Sequence, residues 1–282
     1  MRFAKGHGTG NDFVLLPDPD GVLDLTPALV RRLCDRHTGI GADGVLRVVR
    51  AAKHPDAVGM AGEATWFMDY HNADGSISEM CGNGIRVFAR YLTQTGLVDA
   101  AAFPVATRTG VVGTLVGVDS ITTEMPRPVL GPPSRARHHR SGRDFPGTSV
   151  SVGNPHLVCA VDDVAGLDLT EPPGVDPTVF PDGANVEFVA PAEPLDHADL
   201  DGHVRVRVHE RGVGETQSCG SGACAVAAVA VRDMGLDVGT IAVDVPGGRL
   251  TVVIALDRCM LSGPAEIVAT GEILDTYTPS EG

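Results

Sequence analysis

The chain has 282 residues, of which 43% are hydrophobic and 21% charged, and its formal net charge is −14. This length suits one large domain or two of about 140 residues. The acidic balance argues against a nucleic-acid or membrane-surface partner, because both need a basic face. No apolar run approaches the length of a membrane span. The start, M-R-F-A-K-G-H, lacks the apolar core of a signal peptide, so we expect a cytoplasmic protein.

Cysteine and lysine usage bears on cofactors. The six cysteines form no C-x-x-C pair, so neither a zinc site nor a thioredoxin-like motif is expected. Lys5 and Lys53 are the only lysines, which leaves almost no position for the Schiff base that pyridoxal phosphate requires. A G-x-G-x-x-G at 39–44 follows a predicted helix and precedes a strand, the reverse of a dinucleotide site. We therefore expect no cofactor and no metal.

The first half of the chain alternates short strands with two helices. Strands at 2–5 and 13–16 flank the loop that holds Asn11, and Thr26-Pro27 begins a helix that ends before Gly39. The run V-L-R-V-V and residues 65–70 predict further strands. Apolar residues at helical spacing in 85–92 predict the second helix, which Gly96 ends. Further β-type runs follow at 105–107, 111–116 and 121–125.

The second half begins with a segment rich in Pro, Gly and Arg at 126–148, whose basic cluster at 135–143 we interpret as a solvated loop. Strands are predicted around G-N-P-H, at 185–189 and in the alternating V-R-V-R-V-H. The run A-C-A-V-A-A-V-A-V is apolar on every side, and such a helix must be enclosed by other elements. Strands after residue 240 are available to enclose it.

Two stretches of 13 residues have similar sequences. N-A-D-G-S-I-S-E-M-C-G-N-G at 72–84 aligns without a gap on E-R-G-V-G-E-T-Q-S-C-G-S-G at 210–222, which places Cys81 on Cys219. Each cysteine precedes an apolar helical run. The sequence therefore predicts an α+β protein of two pseudo-symmetric domains, each a β-sheet or barrel wrapped around a central helix. A twofold relation would bring Cys81 and Cys219 together at the domain interface, a common place for a ligand pocket.

A cysteine at a helix N-terminus is expected to have a lowered pKa and to serve as a base. The free N–H groups of the same turns bind anions, so Gly82, Asn83, Gly220 and Ser221 are candidates for holding a carboxylate. An α-amino acid bound there would have its α-carbon between one thiolate and one thiol. Removal of the α-proton on one face and return on the other would invert that centre.

The motifs together resemble the diaminopimelate epimerase family over essentially the whole chain. The matching segments are H-G-T-G-N-D-F, N-A-D-G, M-C-G-N-G-I-R, G-N-P-H, the N-V segment, E-R-G-V-G-E-T, S-C-G-S-G and P-G-G. The resemblance implies a cofactor-independent enzyme of lysine and peptidoglycan-precursor synthesis that interconverts LL- and meso-diaminopimelate. It also implies that the last strand returns to the first domain, which gives domains of 1–118 with 263–282 and of 119–262.

The resemblance also implies roles for individual residues. Cys81 and Cys219 are the expected proton-transfer pair, and His156 and Glu210 the supporting polar groups. One position departs from the pattern, because Gly44 stands where some members place a glutamine. The residues similar in position to the family's substrate-binding set are Asn11, Asn72, Asn154, Asn185 and Arg211.

Two other interpretations stay open. An enzyme similar to proline racemase or hydroxyproline epimerase would use the same two-cysteine logic, although Arg211 and the asparagines suit a substrate with a second charged end. In a different class, a thiol-redox sensor would join Cys81 and Cys219 in a disulfide. The expected partner is a small-molecule amino acid, and whether the chain forms a homodimer is left open.

Overall fold

The computed structural model describes residues 1–195 and 199–274. By their contacts, these divide into two compact units, of which the first is Met1–Thr123 with the described residues from Pro264 onward and the second is the described part of Glu124–Gly263. The domain boundaries predicted after residues 118 and 262 stay a prediction. Residues 275–282, which that prediction assigned to the first domain, lie outside the described residues.

The elements in chain order alternate long strands with few helices. The first part contains β1 (Arg2–Gly8), β2 (Asn11–Pro17), α1 (Pro27–Cys34), β3 (Gly44–Arg50), two 3₁₀ turns (Ala51–Lys53 and Val58–Met60), β4 (Trp66–Asn72), α2 (Gly82–Gln94), β5 (Ala102–Thr107), β6 (Gly110–Val116) and β7 (Ile121–Met125). The next part contains β8 (Val129–Arg137), β9 (Asp144–Ser151), β10 (Pro155–Ala160), β11 (Gly174–Val175), β12 (Asn185–Pro191), β13 (Gly202–Glu210) and β14 (Gly214–Thr216). The last part contains α3 (Gly220–Asp233), β15 (Gly239–Val245), β16 (Gly248–Ile254), β17 (Cys259–Gly263) and β18 (Glu266–Glu272).

The first unit wraps its strands around α2. β18 pairs antiparallel with β1, β1 with β2, and β3 with β4, while β2 and β3 run parallel with α1 between them in the chain. Ile85, Val87 and Phe88 are fully buried in the core between α2 and the sheet. The last strand of the described chain, β18, therefore belongs to the first unit.

The second unit wraps its strands around α3. β9, β10, β12, β13, β15, β16 and β17 are joined edge to edge, with parallel pairs at β10–β12 and β13–β15. Ten of the 14 residues of α3 are buried, which fits a helix that is apolar on every side and therefore enclosed. The predicted α+β fold, with each half built around a central helix, is confirmed.

One local prediction is wrong. The basic cluster at 135–143 is not wholly a loop, because β8 extends through Arg137 and pairs antiparallel with β9 from Asp144 onward. β8 is exposed along most of its length, so its sequence lacks the apolar and polar alternation by which a half-buried strand is recognised. The turn between the two strands spans only residues 138–143.

Candidate active site

The same local geometry places both motif cysteines. Cys81 and Cys219 have extended backbones and are the N-cap residues of α2 and α3. Cys81 Sγ accepts from the Gly84 N–H at 3.3 Å, and Cys219 Sγ accepts from the Gly222 N–H at 3.4 Å. Each sulfur thus satisfies one of the N–H groups that a helix N-terminus leaves unpaired. The predicted position of both cysteines at helix N-termini is confirmed.

The first turn of each helix carries the other residues predicted from the repeat. Gly82 and Asn83 begin α2, and Gly220 and Ser221 begin α3. Ser221 Oγ lies 3.5 Å from Cys219 Sγ. Backbone N–H groups in such turns point outward and favour a bound anion.

In the first unit, amide groups surround the Cys81 sulfur. Asn11 Oδ1 lies 3.7 Å from Cys81 Sγ and accepts from Asn83 Nδ2 at 3.2 Å. The Asn11 Nδ2 donates to Asp43 Oδ2 at 2.7 Å. Because a carboxylate only accepts, Asp43 fixes which end of the Asn11 amide faces the sulfur. The sequence did not single out Asp43, although its place in the glycine-rich segment G-I-G-A-D-G was a usable signal.

A network of charged side chains holds Asn11 and Asp43 in place. The Arg36 guanidinium donates to the Asp12 carboxylate at 2.8 Å and to the Asp43 carboxylate at 2.7 Å. Lys5 forms a salt bridge with Asp12 at 2.6 Å. Burial raises the pKa of Asp12, but hydrogen bonds from Arg36 and Lys5 outweigh it and hold that pKa far below its ordinary value. Asp12 therefore stays ionised at neutral pH.

Arg86 supports the first turn of α2 through hydrogen bonds from its buried side chain. Its side chain is completely buried, and its guanidinium donates to Gly82 O at 3.0 Å, to Asn83 Oδ1 at 3.0 Å and to Thr9 Oγ1 at 3.2 Å. A planar fork with five donors suits this task better than a lysine. Arg86 stands in the matching segment M-C-G-N-G-I-R, but the sequence alone gave it no role.

Asn72 and Gly44 lie opposite each other on β4 and β3. The Asn72 side chain donates to Ser76 Oγ at 3.0 Å. A Cβ at position 44 would lie 2.6 Å from His71 O and 2.7 Å from Tyr70 Cε2. Both distances are shorter than van der Waals contact allows. In this chain, the His71 carbonyl and the Tyr70 ring occupy the space that a side chain at position 44 would need.

In the second unit, carboxylates surround the Cys219 sulfur. Glu210, at the end of β13, accepts from Thr216 Oγ1. Burial, together with Glu210 and Glu187, holds the pKa of Cys219 well above its ordinary value. Burial also raises the pKa of Glu210. The expectation that the helix N-terminus lowers the pKa is thus wrong for Cys219, because desolvation and two carboxylates outweigh the helix dipole.

His156 is completely buried on β10, between two polar partners. Its Nδ1 lies 2.6 Å from Glu187 Oε1, and its Nε2 lies 2.9 Å from Asn154 Oδ1. The pairing of β10 with β12 sets this arrangement, since His156 stands beside Asn185 in the parallel register. Glu187 was not predicted from the sequence, although a charged residue inside the apolar strand N-V-E-F-V was a readable signal.

Asn185 and Arg211 are also joined. Asn185 Oδ1 accepts from the Arg211 backbone N–H at 2.9 Å, and the Arg211 guanidinium donates to Asp182 O at 3.2 Å. Arg211 is exposed in the turn after β13. Its side chain therefore keeps donors that a ligand carboxylate can approach.

Comparison with known proteins decides the family. The family model described as diaminopimelate epimerase matches residues 3–130 and 148–268. The chain belongs to the diaminopimelate epimerase family. The resemblance read from the motifs is thus confirmed, and the family's members are isomerases.

Curated relatives named diaminopimelate epimerase match over nearly the whole chain. The protein of Thermobifida fusca is 52% identical over 282 residues, which cover 97% of this chain and 98% of the relative. The protein of Streptomyces coelicolor is 50% identical over 283 residues, which cover 96% and 95%. The chain therefore matches nearly the whole length of these relatives.

Solved structures share the fold at low identity. A phenazine biosynthesis protein of Bacillus anthracis has a TM-score of 0.70 at 17% identity and covers 97% of this chain and 99% of its own. A hydroxyproline epimerase of Agrobacterium vitis has a TM-score of 0.64 at 15% identity and covers 96% and 91%. These likenesses support the fold of the diaminopimelate epimerase family.

Within residues 1–195 and 199–274, no helix combines the length and the apolar character that a bilayer crossing requires.

Proposed function

We propose that the chain interconverts LL- and meso-diaminopimelate by inverting one α-carbon, as a step of lysine and peptidoglycan-precursor biosynthesis. The observation that carries this proposal is the pair of cysteine-capped helix N-termini, at Cys81 and Cys219, in a chain about as long as relatives named for this reaction. Each terminus offers a sulfur beside N–H groups that bind a carboxylate.

In the proposed reaction, Cys81 and Cys219 act on opposite faces of the same α-carbon. One enters as a thiolate and removes the α-proton, while the other enters as a thiol and delivers its proton. After one turnover the first cysteine carries a proton and the second is a thiolate, and exchange with solvent restores the starting state. The raised pKa of Cys219 supports Cys219 as the thiol of the resting protein.

The weak acidity of the α-proton is the main barrier. The N–H groups of Gly82, Asn83, Gly220 and Ser221 are proposed to bind the reacting carboxylate and to strengthen as it gains enediolate character. Removing one such donor typically costs about 3 to 4 kcal/mol, and fixed placement of the reacting groups contributes roughly 7 kcal/mol or more. His156 and Glu210 are proposed to support the two sulfurs.

The distal end of diaminopimelate carries a second carboxylate and a second ammonium. The Arg211 guanidinium suits that carboxylate, and amide oxygens suit the ammonium. The asparagines proposed for this end are Asn11, Asn72, Asn154 and Asn185.

The proposal needs no cofactor. Of the two lysines, Lys5 is held by Asp12 and by the Gly41 carbonyl in the first unit, so it does not suit a Schiff base. The protein is proposed to act in the cytoplasm on a small molecule, within the domains 1–118 with 263–282 and 119–262. Homodimer formation is a further proposal, which sedimentation equilibrium of the purified chain tests.

Isotope exchange tests the proposed reaction. The protein is incubated in deuterium oxide with LL-diaminopimelate, and separately with L-proline and trans-4-hydroxy-L-proline, and α-deuterium is followed by mass spectrometry. We expect deuterium in diaminopimelate together with formation of the meso isomer. Exchange into proline or hydroxyproline alone would assign the chain to the second candidate reaction and overturn the proposal.

The redox-sensor alternative is tested on the same protein. Diamide treatment followed by peptide mapping detects a disulfide between Cys81 and Cys219, and dithiothreitol reverses it. A chain that forms this disulfide yet shows no exchange with diaminopimelate, even when reduced, would favour the sensor over the epimerase.

A further inference from the structure

Glu187 is a buried carboxylate that the proposed reaction leaves without a task. It lies on β12 with no solvent exposure. Its Oε1 is 2.6 Å from His156 Nδ1, while its Oε2 has no hydrogen-bond partner among the described residues. Burying a carboxylate with one oxygen unsatisfied costs free energy, so this position is unfavourable for folding alone.

The carboxylate lies directly against the first turn of α3. A Cβ added at Gly222 would be 2.6 Å from Glu187 Oε1 and 3.3 Å from Cys219 Cβ. Because Gly222 of the C-G-S-G motif has no side chain, Glu187 can lie against the N-terminus of α3. Its charge acts on the N-cap sulfur through buried protein, where screening by water is weak.

Four groups, on two strands and on α3 itself, act on the Cys219 sulfur. Glu210 on β13 and Glu187 on β12 oppose a negative charge there, while Ser221 Oγ and the Gly222 N–H favour one. His156 on β10 lies behind this set, bonded to Glu187. Removing one carboxylate should therefore favour ionisation of the sulfur.

We propose that Glu187 is a positioning residue that orients the His156 ring and keeps the proton on Cys219 in the resting protein. The inference rests on the proposed function, since it gives Cys219 the role of proton donor. Glu187 touches neither substrate nor reacting atoms in this scheme, and it acts through His156 and through its charge. Because Oε1 accepts from Nδ1, the ring's Nε2 is directed toward Asn154.

The test compares Glu187→Gln with Asp233→Asn. The first removes the buried charge and keeps an oxygen acceptor for His156. The second removes one charge from the exposed far end of α3 and serves as the matched control. Cys219 alkylation by iodoacetamide in timed exposures from pH 6 to pH 10 is measured by peptide mass spectrometry.

We expect the midpoint of Cys219 alkylation to fall by about one pH unit or more in Glu187→Gln and to stay unchanged in Asp233→Asn. An unchanged midpoint in a folded Glu187→Gln protein would overturn the proposal. The alkylation measurement does not depend on turnover, so a failure of this proposal can be distinguished from a failure of the proposed reaction with diaminopimelate.

A second variant keeps the proposal testable if Glu187→Gln does not fold. Glu187→Asp retains the charge but withdraws the carboxylate from His156 by one methylene. We expect kcat to fall severalfold while KM and the alkylation midpoint stay near those of the parent. An unchanged kcat in this variant would contradict the positioning of His156.

Discussion

Cys81 and Cys219 cap their helices with the same backbone geometry, yet amides surround the first sulfur and carboxylates surround the second. Asn11 and Asn83 lie near Cys81, whereas Glu210 and Glu187 raise the pKa of Cys219. The repeated motif thus places both sulfurs at helix ends. Its neighbours on other strands decide how readily each sulfur ionises.

The two units also treat buried carboxylates differently. In the first unit, Asp69 lies 2.6 Å from Arg108 and 2.9 Å from His71. Burial raises the pKa of Asp69, but hydrogen bonds and charge from these partners lower it to about 2. In the second unit, no arginine of the described chain pairs with Glu187 or Glu210. The first unit therefore uses buried charge for stability, and the second keeps it beside the candidate site.

Loss of either sulfur should have the largest effect. Cys81→Ala and Cys219→Ala should each reduce epimerisation by roughly 10²- to 10⁴-fold or more, because each removes a proton-transfer group. Circular dichroism should show an intact fold, since each side chain contributes only a small apolar volume. The measurement is turnover of LL-diaminopimelate to the meso isomer. Substantial turnover in either variant would rule out the two-cysteine mechanism.

The next largest difference is expected between Gly222→Ala and Gly84→Ala, which change matching positions in the two motifs. Gly222→Ala places a methyl group 2.6 Å from Glu187 Oε1, whereas Gly84→Ala meets Cys81 and Leu46 at 3.4 Å. We expect a loss of about 10² in kcat for Gly222→Ala, since displacement near a reacting group costs about that much. The loss for Gly84→Ala should be much smaller, with a stability gain of about 0.5 to 1 kcal/mol from helix propensity.

Kinetics and thermal unfolding of both glycine variants check this ranking. Equal losses of kcat at the two positions would mean that the approach of Glu187 to Gly222 is unimportant.

Acid unfolding should distinguish the two kinds of buried carboxylate. Because the folded pKa of Asp69 is lowered from 3.8 to about 2, its ionisation stabilises the fold above pH 3.8, and this contribution is lost as pH falls toward 2. Asp69→Asn should therefore cost about 2 kcal/mol at neutral pH, and the difference from the parent should vanish near pH 2. Urea unfolding at a series of pH values measures it.

Glu210→Gln should change the stability of the fold in the opposite direction to Asp69→Asn. The folded pKa of Glu210 is raised from 4.5, so its ionisation costs stability as the pH rises above 4.5. The variant should gain stability relative to the parent over that range. A loss that grows with pH would show that Glu210 is better solvated than its burial indicates.

The smallest effect is expected when the Asp43 carboxylate, which orients the Asn11 amide, is replaced. Asp43→Asn offers both a donor and an acceptor to the Asn11 amide, so its orientation toward Cys81 is no longer fixed. We expect KM to rise about fivefold, which corresponds to about 1 kcal/mol for one oriented hydrogen bond. Asp20→Asn, which removes an exposed charge paired with Arg50, is the control. A rise in KM of the same size in both variants would count against the orienting role.

Much of the fold followed from local patterns. The helical spacing in 85–92 and the fully apolar run after Cys219 predicted α2 and α3, and the enclosed character of α3 predicted the strands around it. β8 escaped prediction because exposure on both faces removes the alternation that marks a strand. Pattern reasoning succeeds where one face is buried and fails where none is.

The candidate site was predictable to the extent that its residues stand in repeated or distinctive motifs. Cys81 and Cys219 were singled out by the repeat, and His156 and Glu210 by the resemblance to the family, while the roles of all four stay predictions. Glu187 and Asp43 were not predicted, because their roles depend on partners 31 and 32 residues away in the chain, which nothing near them in the sequence indicates. Arg86 was not predicted either, because its bonds to Gly82 and Asn83 in the same helix are joined by one to Thr9, which is 77 residues away.

The sequence by itself determined the two helix caps, since a cysteine before a glycine-rich turn and an apolar run leaves one sulfur at each helix N-terminus. Only the tertiary structure decided the protonation of Cys219. A helix N-terminus alone favours the thiolate, but burial against Glu210 and Glu187 from neighbouring strands favours the thiol. The stronger effect comes from strand pairing, which brings together charges that are distant in the sequence and removes the water that would screen them.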